Sequence, residues 1–395
     1  MMSSVTTKRR DKGEGSKRLR KDGRYEYRYV AGRRPDGKAI YKSFTAKTER
    51  ELNRKIKEYN EDRTKYIVKA EATMFRDYAE FWMKTVKYPI LKPVSYDRLE
   101  QTYNTVCNYI GWIQLGSVST EDIQSMINDL SATKAYSTVK KHYEFVKGVF
   151  QYAYNSQKIT FDPCPAVQLP IERNMKVKTK KTEILPENIT EKMYEFNNTL
   201  QQSNNQFFKH APVLLLILNT GIRIGEALAL EWNDVDFKNK TLRINKTLTK
   251  AKERDEKGEV VGKNKKTFSD ITKTESGNRL IPLNDMATSL LMQIQDYNKR
   301  KKIKTDYVAC TADGGYVSER NILRTYKSIL GLVGAEDYTI HALRHTFASR
   351  LLKGGIEISV VSKLLGHADI NTTYSTYIHV LSEQMTDVMS SICKV

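Results

Sequence analysis

Long apolar runs are missing from this 395-residue chain. The longest, Val213-Leu214-Leu215-Leu216-Ile217-Leu218, falls far short of the roughly 18 residues a membrane-crossing helix needs, so it is read as a buried helix. Met1 to Arg10 contains no apolar stretch of the kind a secretory signal requires. Cysteine is scarce as well. Cys107, Cys164, Cys310 and Cys393 stand far apart, with no C-x-x-C and no Cys/His ligand spacing, which excludes a disulfide framework and a zinc site. The expectation is a cytoplasmic, reduced chain without membrane association, metal or cofactor. Negative charge is also in deficit: 66 Lys and Arg face 46 Asp and Glu, a net charge of +20. Such an excess attracts polyanions, of which nucleic acid is the commonest large one.

The surplus is uneven. Residues 1–71 hold 22 cationic and 11 acidic side chains, so more than half the net charge sits in under a fifth of the chain. Residues 1–20 (Lys8-Arg9-Arg10, Lys17-Arg18-Leu19-Arg20) lack hydrophobic periodicity and are predicted to be a flexible basic tail. Residues 21–71 read as a small sheet plus a helix. Arg24-Tyr25-Glu26-Tyr27-Arg28-Tyr29-Val30 alternates strictly, Arg34-Pro35-Asp36-Gly37-Lys38 signals a turn, and Ala39-Ile40-Tyr41-Lys42-Ser43-Phe44 is a second strand. Thr48 with Glu51 opens a helix that places Leu52, Ile56 and Tyr59 on one face. Two readings stand for this segment: a basic mini-domain with solvated charges, or a DNA-binding sheet using Arg24, Arg28 and Lys42.

Residues 72–170 change character. Phe75, Tyr78, Ala79, Trp82 and Met83 recur at helical spacing, as do Val139, Tyr143, Val146, Phe150 and Ala153. Helix starts are expected at Ser119 and Ser137, with breaks at Pro89, Pro93 and Gly111. The aromatic stripes are read as core, while Lys134, Lys140, Lys141 and Lys147 are candidates for phosphate contact. Residues 171–182 form a basic linker in which Lys178 and Lys180 either track a phosphate backbone or are merely solvated. From residue 183 helices alternate with short strands, Thr241–Asn245 and Arg279–Leu283. The insertion Lys250–Lys266 is read as an extra β-hairpin turning near Gly258, its role open among DNA contact, subunit contact and a solvated loop. No internal repeat is visible.

The chemistry concentrates near the C-terminus, in His341-Ala342-Leu343-Arg344-His345, Gly366-His367 and Thr373-Tyr374-Ser375-Thr376-Tyr377-Ile378-His379-Val380. Cutting a phosphodiester requires holding nonbridging oxygens whose charge grows in the transition state, a task suited to two arginine forks. Arg344 is one, on a helical face shared with His341. Arg223 is the other, aimed by the turn at Thr220-Gly221 and steadied by Glu226. A tyrosine can attack phosphorus and later leave. Spacing alone does not separate Tyr374 from Tyr377. His367 is a candidate donor to a phosphate oxygen, and His341 a proton acceptor for the phenol or a further donor. Lys273, just before a hairpin turn, is a candidate acid for the expelled 5′-hydroxyl.

Thr220-Gly221-Ile222-Arg223-Ile224-Gly225-Glu226, Lys273-Thr274 before Arg279-Leu280-Ile281-Pro282-Leu283, His341-Ala342-Leu343-Arg344-His345, Leu364-Leu365-Gly366-His367 and Tyr377-Ile378-His379-Val380 together resemble the tyrosine recombinases (phage-type integrases). The likeness in order and spacing runs over residues 183–395. Residues 72–170 are similar to the family's helical core-binding domain, and residues 21–71 to the arm-binding domain of phage and conjugative-transposon integrases. The whole chain looks closest to conjugative-transposon integrases of Gram-positive bacteria. The resemblance assigns Arg223, Lys273, His341, Arg344, His367 and Tyr377 as catalytic, and Glu226 as a supporting acid. It selects Tyr377 because the family places the nucleophile two residues before His-Val.

The resemblance further implies a multidomain α+β protein. Its parts would be a sheet-plus-helix N-terminal domain, an all-α core-binding domain, and a mainly helical catalytic domain (183–395) with a small antiparallel sheet. The implied activity is integration and excision of a mobile element through a 3′-phosphotyrosyl link and a Holliday junction. The implied partners are double-stranded DNA at core and arm sites, three further copies of the chain in a tetramer on two duplexes, and an accessory excision protein. An amphipathic tail (Leu381, Met385, Val388, Met389, Ile392) would dock on a neighbour or fold back. Two rivals are a DNA-relaxing enzyme of type IB character and a non-catalytic DNA-binding protein. The basic N-terminal segment weighs against the first and the complete residue set against the second.

Overall fold

The structure is a computed structural model that describes residues 16–33, 39–58, 73–178, 183–203, 209–262, 265–270, 277–335 and 338–378. Lys180, Lys273, His379, Val380, the amphipathic tail, residues 1–15 and the Lys42 side chain lie outside the described residues. Two compact units are present. One comprises the chain up to Thr179 with Asp255–Glu259, the other the remainder.

The first unit begins with an antiparallel sheet of β1 (Ser16–Leu19), β2 (Tyr25–Arg33) and β3 (Ala39–Ala46), ordered β1-β2-β3. β1 falls in the segment expected to be a flexible tail. Its side chains are all exposed, so apolar burial does not order it. Order comes from pairing along β2 and from an Arg18 Nε–Glu26 carboxylate contact of 2.6 Å. Helix α1 follows over residues 49–58. Thr48 Oγ1 accepts from the Glu51 amide at 3.2 Å, and Leu52 is fully buried.

A helical bundle comes next: α2 (Phe75–Trp82), which continues as a π-helical turn over Met83–Lys87, then α3 (Pro93–Ile110), α4 (Thr120–Thr133) and α5 (Tyr136–Asn155). Pro93 is the first residue of α3, where its missing N–H costs nothing, and Gly111 caps the other end. Ser119 and Asp122 form a reciprocal capping box on α4. Ser137 does not start α5. Ala135 takes the cap position and Ser137 lies inside the first turn. Phe75, Tyr78, Ala79, Trp82, Met83, Val139, Tyr143, Val146, Phe150 and Ala153 are all buried in one core, as the periodicity predicts.

The second unit contains α6 (Glu187–Ser203), α7 (Ala211–Thr220), α8 (Ile224–Ala229), β4 (Val235–Asp236), β5 (Thr241–Ile244), β6 (Lys246–Ala251), β7 (Lys265–Asp270), β8 (Arg279–Pro282), α9 (Asp285–Arg300), α10 (Glu319–Val333), α11 (His341–Lys353) and α12 (Ile358–Leu365). A last helix, α13, covers described residues 370–378. α7 is buried from Ala211 to Leu218 because α6, α9, α10 and α11 pack around it. A helix apolar on all sides needs such a casing. β4, β5 and β8 form an antiparallel sheet, and β6 pairs with β7 in a hairpin. Gly258, at φ +83°, sits in the expected turn region of the insertion. The whole is the multidomain, mainly helical α+β arrangement with small antiparallel sheets that the sequence suggests. Among the described residues, no helix is long and apolar enough to cross a membrane.

Candidate active site

α7 ends at Gly221, which adopts φ +65° in the left-handed region. A side chain there would put its Cβ 2.3 Å from the Phe347 ring and 3.1 Å from Leu365, so the turn needs glycine twice over. The reversal delivers Arg223 to the N-cap of α8. Its backbone N–H donates to Glu226 Oε2 and its Nη1 to Oε1, both at 2.8 Å. The Arg223 side chain keeps 40% exposure, whereas that of Glu226 keeps 1%.

Glu226 has a second partner. Arg279, the first residue of β8, donates Nη2 to Oε2 at 2.8 Å and Nη1 to Oε1 at 3.3 Å. Burial pushes the Glu226 carboxyl up, but the hydrogen bond and charge of Arg279, then the charge of Arg223, outweigh it and leave the pKa lowered. The role of Arg279 is missing from the sequence reading, although strand alternation holds a signal for it. Arg279 shares a face with Ile281 and Leu283, both buried. A charge on the inward face of a strand needs a partner.

Arg344, on α11, is 6% exposed. Nη1 donates to Gly221 O at 2.6 Å, Nη2 to Leu365 O at 2.8 Å, and Nη2 also lies 2.9 Å from His367 Nε2. A guanidinium has no acceptor, so His367 Nε2 must accept. His367 Nδ1, 2.8 Å from the buried Thr373 hydroxyl, then carries the proton. Burial, then the charges of Arg344 and Arg223, push His367 down to about 4, consistent with a neutral ring. In this structure the Nε2 nitrogen, a candidate donor to a phosphate oxygen, faces a guanidinium and accepts from it. Arg344 is itself pushed down to about 9 by burial and then by Arg223, and remains a cation at neutral pH.

The three arginines converge on the end of α12. Leu364 O accepts from Arg279 Nε at 2.7 Å, Leu365 O from Arg344 Nη2 at 2.8 Å, and Gly366 O from Arg223 Nη2 at 3.2 Å. The last carbonyls of a helix have no partner within it and lie at the negative end of its dipole. Gly366 at φ +69° turns the chain away and leaves them open to the guanidinium groups. Three guanidinium groups against one carboxylate leave two positive charges in a small volume. Such an arrangement is an anion site.

Tyr377 lies on α13, 1% exposed, against Ala348, Leu352, Val361 and Leu365. Its Oη is 2.8 Å from His345 Nδ1, and the rings meet edge-on at 5.7 Å between centroids. Burial pushes the phenol up to about 12, against the pull of Arg344. Tyr374 is 50% exposed. His341 starts α11 on the exposed side, its pKa lowered by loss of water around the ring and then by Arg344. Arg223, Glu226, Arg344, His367 and Tyr377 are thus gathered together, with Arg279 and His345 added.

The residues expected to touch DNA are more dispersed. Lys134, Lys140 and Lys141 are exposed at the end of α4 and on α5. Arg24, in the turn just before β2, and Arg28, on β2, are exposed, and Arg28 stacks over Tyr41 at 4.0 Å. Lys178 Nζ donates to Arg173 O at 2.7 Å.

Residues 183–384 match the phage integrase family, and residues 75–169 match the phage integrase central domain. The chain belongs to the phage integrase family. It is a tyrosine recombinase, an enzyme that cuts and rejoins DNA in site-specific recombination. A tyrosine recombinase XerC-like protein of Caldanaerobacter subterraneus subsp. tengcongensis is 29% identical over 94% of this chain and 97% of its own. The integrase of Staphylococcus phage L54a is 26% identical over 83% of this chain and 94% of its own. Among solved structures, the Tn1549 transposon integrase in complex with transposon right end DNA superposes with TM-score 0.64 at 18% identity, covering 80% of this recombinase and all (100%) of that chain. A lambda integrase tetramer bound to a Holliday junction superposes with TM-score 0.56 at 15% identity, covering 93% and 96%. At these identities the structural likeness concerns the fold.

Proposed function

We propose that this recombinase integrates and excises a mobile element, with Tyr377 as nucleophile and Arg223 and Arg344 as the phosphate clamp. The observation that carries the reading is the surplus of two positive charges left by Arg223, Arg279 and Arg344 around Glu226. A phosphodiester brings the missing negative charge, and its developing transition-state charge is held best by preorganised donors. Among the described residues, Arg223 uses two of its five N–H groups and Arg344 three, so both forks retain hydrogens for a phosphate. Tyr377 Oη attacks phosphorus, a 3′-phosphotyrosyl link forms, and the 5′-oxygen leaves with a proton from Lys273. A 5′-hydroxyl of the partner duplex then attacks the link and releases Tyr377. Because the phosphotyrosyl ester conserves the bond, the exchange consumes no ATP. His341 flanks the clamp, and His367, fixed by Thr373, holds Arg344 in place.

Core-site DNA would lie against Lys134, Lys140, Lys141 and the linker lysines Lys178 and Lys180. Arm-site DNA would meet the N-terminal sheet at Arg24, Arg28 and Lys42. Domains at 21–71, 72–170 and 183–395, a tetramer on two duplexes, an accessory excision protein and a cytoplasmic location complete the proposal. The tetramer on a Holliday junction formed by lambda integrase supports the assembly, and the likeness to the Tn1549 transposon integrase supports a transposon as the element.

The test is a pair of variants. Tyr377→Phe should bind core-site DNA as wild type does and form no covalent adduct, while Tyr374→Phe should form the adduct normally. An adduct persisting in Tyr377→Phe and absent in Tyr374→Phe would move the nucleophile to Tyr374.

A further inference from the structure

We propose that His345 is the group that takes the phenolic proton of Tyr377 during DNA cleavage. The inference rests on the reading of Tyr377 as nucleophile. Its basis is contact: His345 Nδ1 lies 2.8 Å from Tyr377 Oη, inside the reach a general base needs. The two other histidines of the site are placed otherwise. Both ring nitrogens of His367 are occupied, Nε2 by Arg344 and Nδ1 by Thr373. His341 stands at the exposed start of α11, one full turn before His345. The local geometry is fixed from both sides. Thr373 and Tyr377 are four apart on α13 and face His367 and His345 respectively. α11 carries Arg344 and His345 as neighbours, so one helix supplies both a phosphate ligand and a contact to the nucleophile.

The need for a base follows from burial. A phenol packed among Ala348, Leu352, Val361 and Leu365 stays protonated at neutral pH, and the nearby Arg344 charge offsets this only in part. The proton must go somewhere as the Oη–P bond forms. The balance is simple. The Oη–H bond breaks and the proton moves to His345 Nδ1. The Oη–P bond forms as the P–O5′ bond breaks, and the 5′-oxygen takes its own proton from the leaving side. When the next 5′-hydroxyl attacks, its O–H bond breaks and the proton passes to the Lys273 amine left neutral by the first step, while His345 returns its proton to the departing Tyr377 oxygen.

The test compares single-turnover cleavage of core-site DNA carrying either an ordinary scissile phosphate or one with sulfur in place of the 5′-bridging oxygen. A thiolate leaves without needing a proton, so help given to the leaving group becomes dispensable while help given to the nucleophile does not. The full-length chain is used as wild type, His345→Ala, His345→Asn, Lys273→Ala and Tyr377→Phe, each checked for DNA binding. Asparagine places an amide near the Nδ1 position and keeps a hydrogen bond without a basic nitrogen. Both His345 variants are expected to cleave about a hundredfold more slowly than wild type on both substrates, the scale of general-base catalysis. Lys273→Ala is expected to be slow on the oxygen substrate alone. If His345→Ala binds DNA poorly, His345→Asn decides alone. Cleavage by a His345 variant within about threefold of wild type overturns the proposal. So does recovery of a His345 variant on the sulfur substrate, which would put His345 on the leaving side. Adduct formation by Tyr377→Phe would instead remove the nucleophile reading beneath it.

Discussion

Glu226 is one carboxylate serving two guanidinium groups, and the two differ in kind. The Arg279 side chain is buried and gives Nε, Nη1 and Nη2 all to Leu364 O and Glu226, while the Arg223 side chain is part-exposed and gives one hydrogen to Glu226 and one to Gly366 O. On the proposed function, Arg279 is scaffold and Arg223 faces the phosphate. Replacing Arg279 by Ala leaves a buried carboxylate half-partnered. The expected cost is about 3–5 kcal/mol, the usual penalty for removing one partner of a buried ion pair. It would be read as a lower urea midpoint, with a smaller cost when Glu226→Gln is already present. Arg223, Arg344 and Tyr377 were legible in the sequence because their neighbours form recognisable motifs. Arg279 and His345 were not read out. Both lie inside the quoted motifs without an assigned role, and only the fold shows that a strand-initial arginine turns inward or that the histidine after Arg344 meets the phenol.

α12 organises the site through its backbone. Leu364, Leu365 and Gly366 offer three successive carbonyls to three arginines. The sequence signals a glycine–histidine pair there, yet backbone acceptors carry no residue signature, so the reason for the glycine was illegible. The junction of α7 and α8 is more readable, since Thr220-Gly221 is a sharp stop after an apolar helix. Its tightness comes from α11 and α12, whose Phe347 and Leu365 fill the space a Cβ at Gly221 would take. Gly221→Ala combines left-handed backbone strain with a steric clash and is expected to cost about 2–5 kcal/mol. Thermal unfolding would measure it. Adding Phe347→Leu should recover part of the loss by removing ring atoms, and no recovery would mean that backbone strain dominates.

Across the molecule, Arg223 to Tyr377 enclose a site whose parts lie on α7–α8, β8, α11, α12 and α13. Helices and core stripes were readable from period and caps, because burial of one face leaves a direct imprint on composition. β1 was not, since a strand with every side chain exposed leaves none. The charge split gives a test at this scale. A chain lacking residues 1–71 should cleave a core site at a normal rate but lose affinity for separate arm sites, measured by gel shift at fixed salt. The loss should shrink as salt rises, because phosphate contacts release counterions. Unchanged arm-site binding would contradict the proposed role of the basic N-terminal sheet. The central claim is that one tyrosine, held beside an arginine anion site, becomes joined to DNA. The most direct measurement traps the covalent complex on a nicked core-site duplex and maps the modified peptide by mass spectrometry. The account predicts a single phosphonucleotide-bearing residue, Tyr377; modification of Tyr374, or of any residue outside α13, would contradict it.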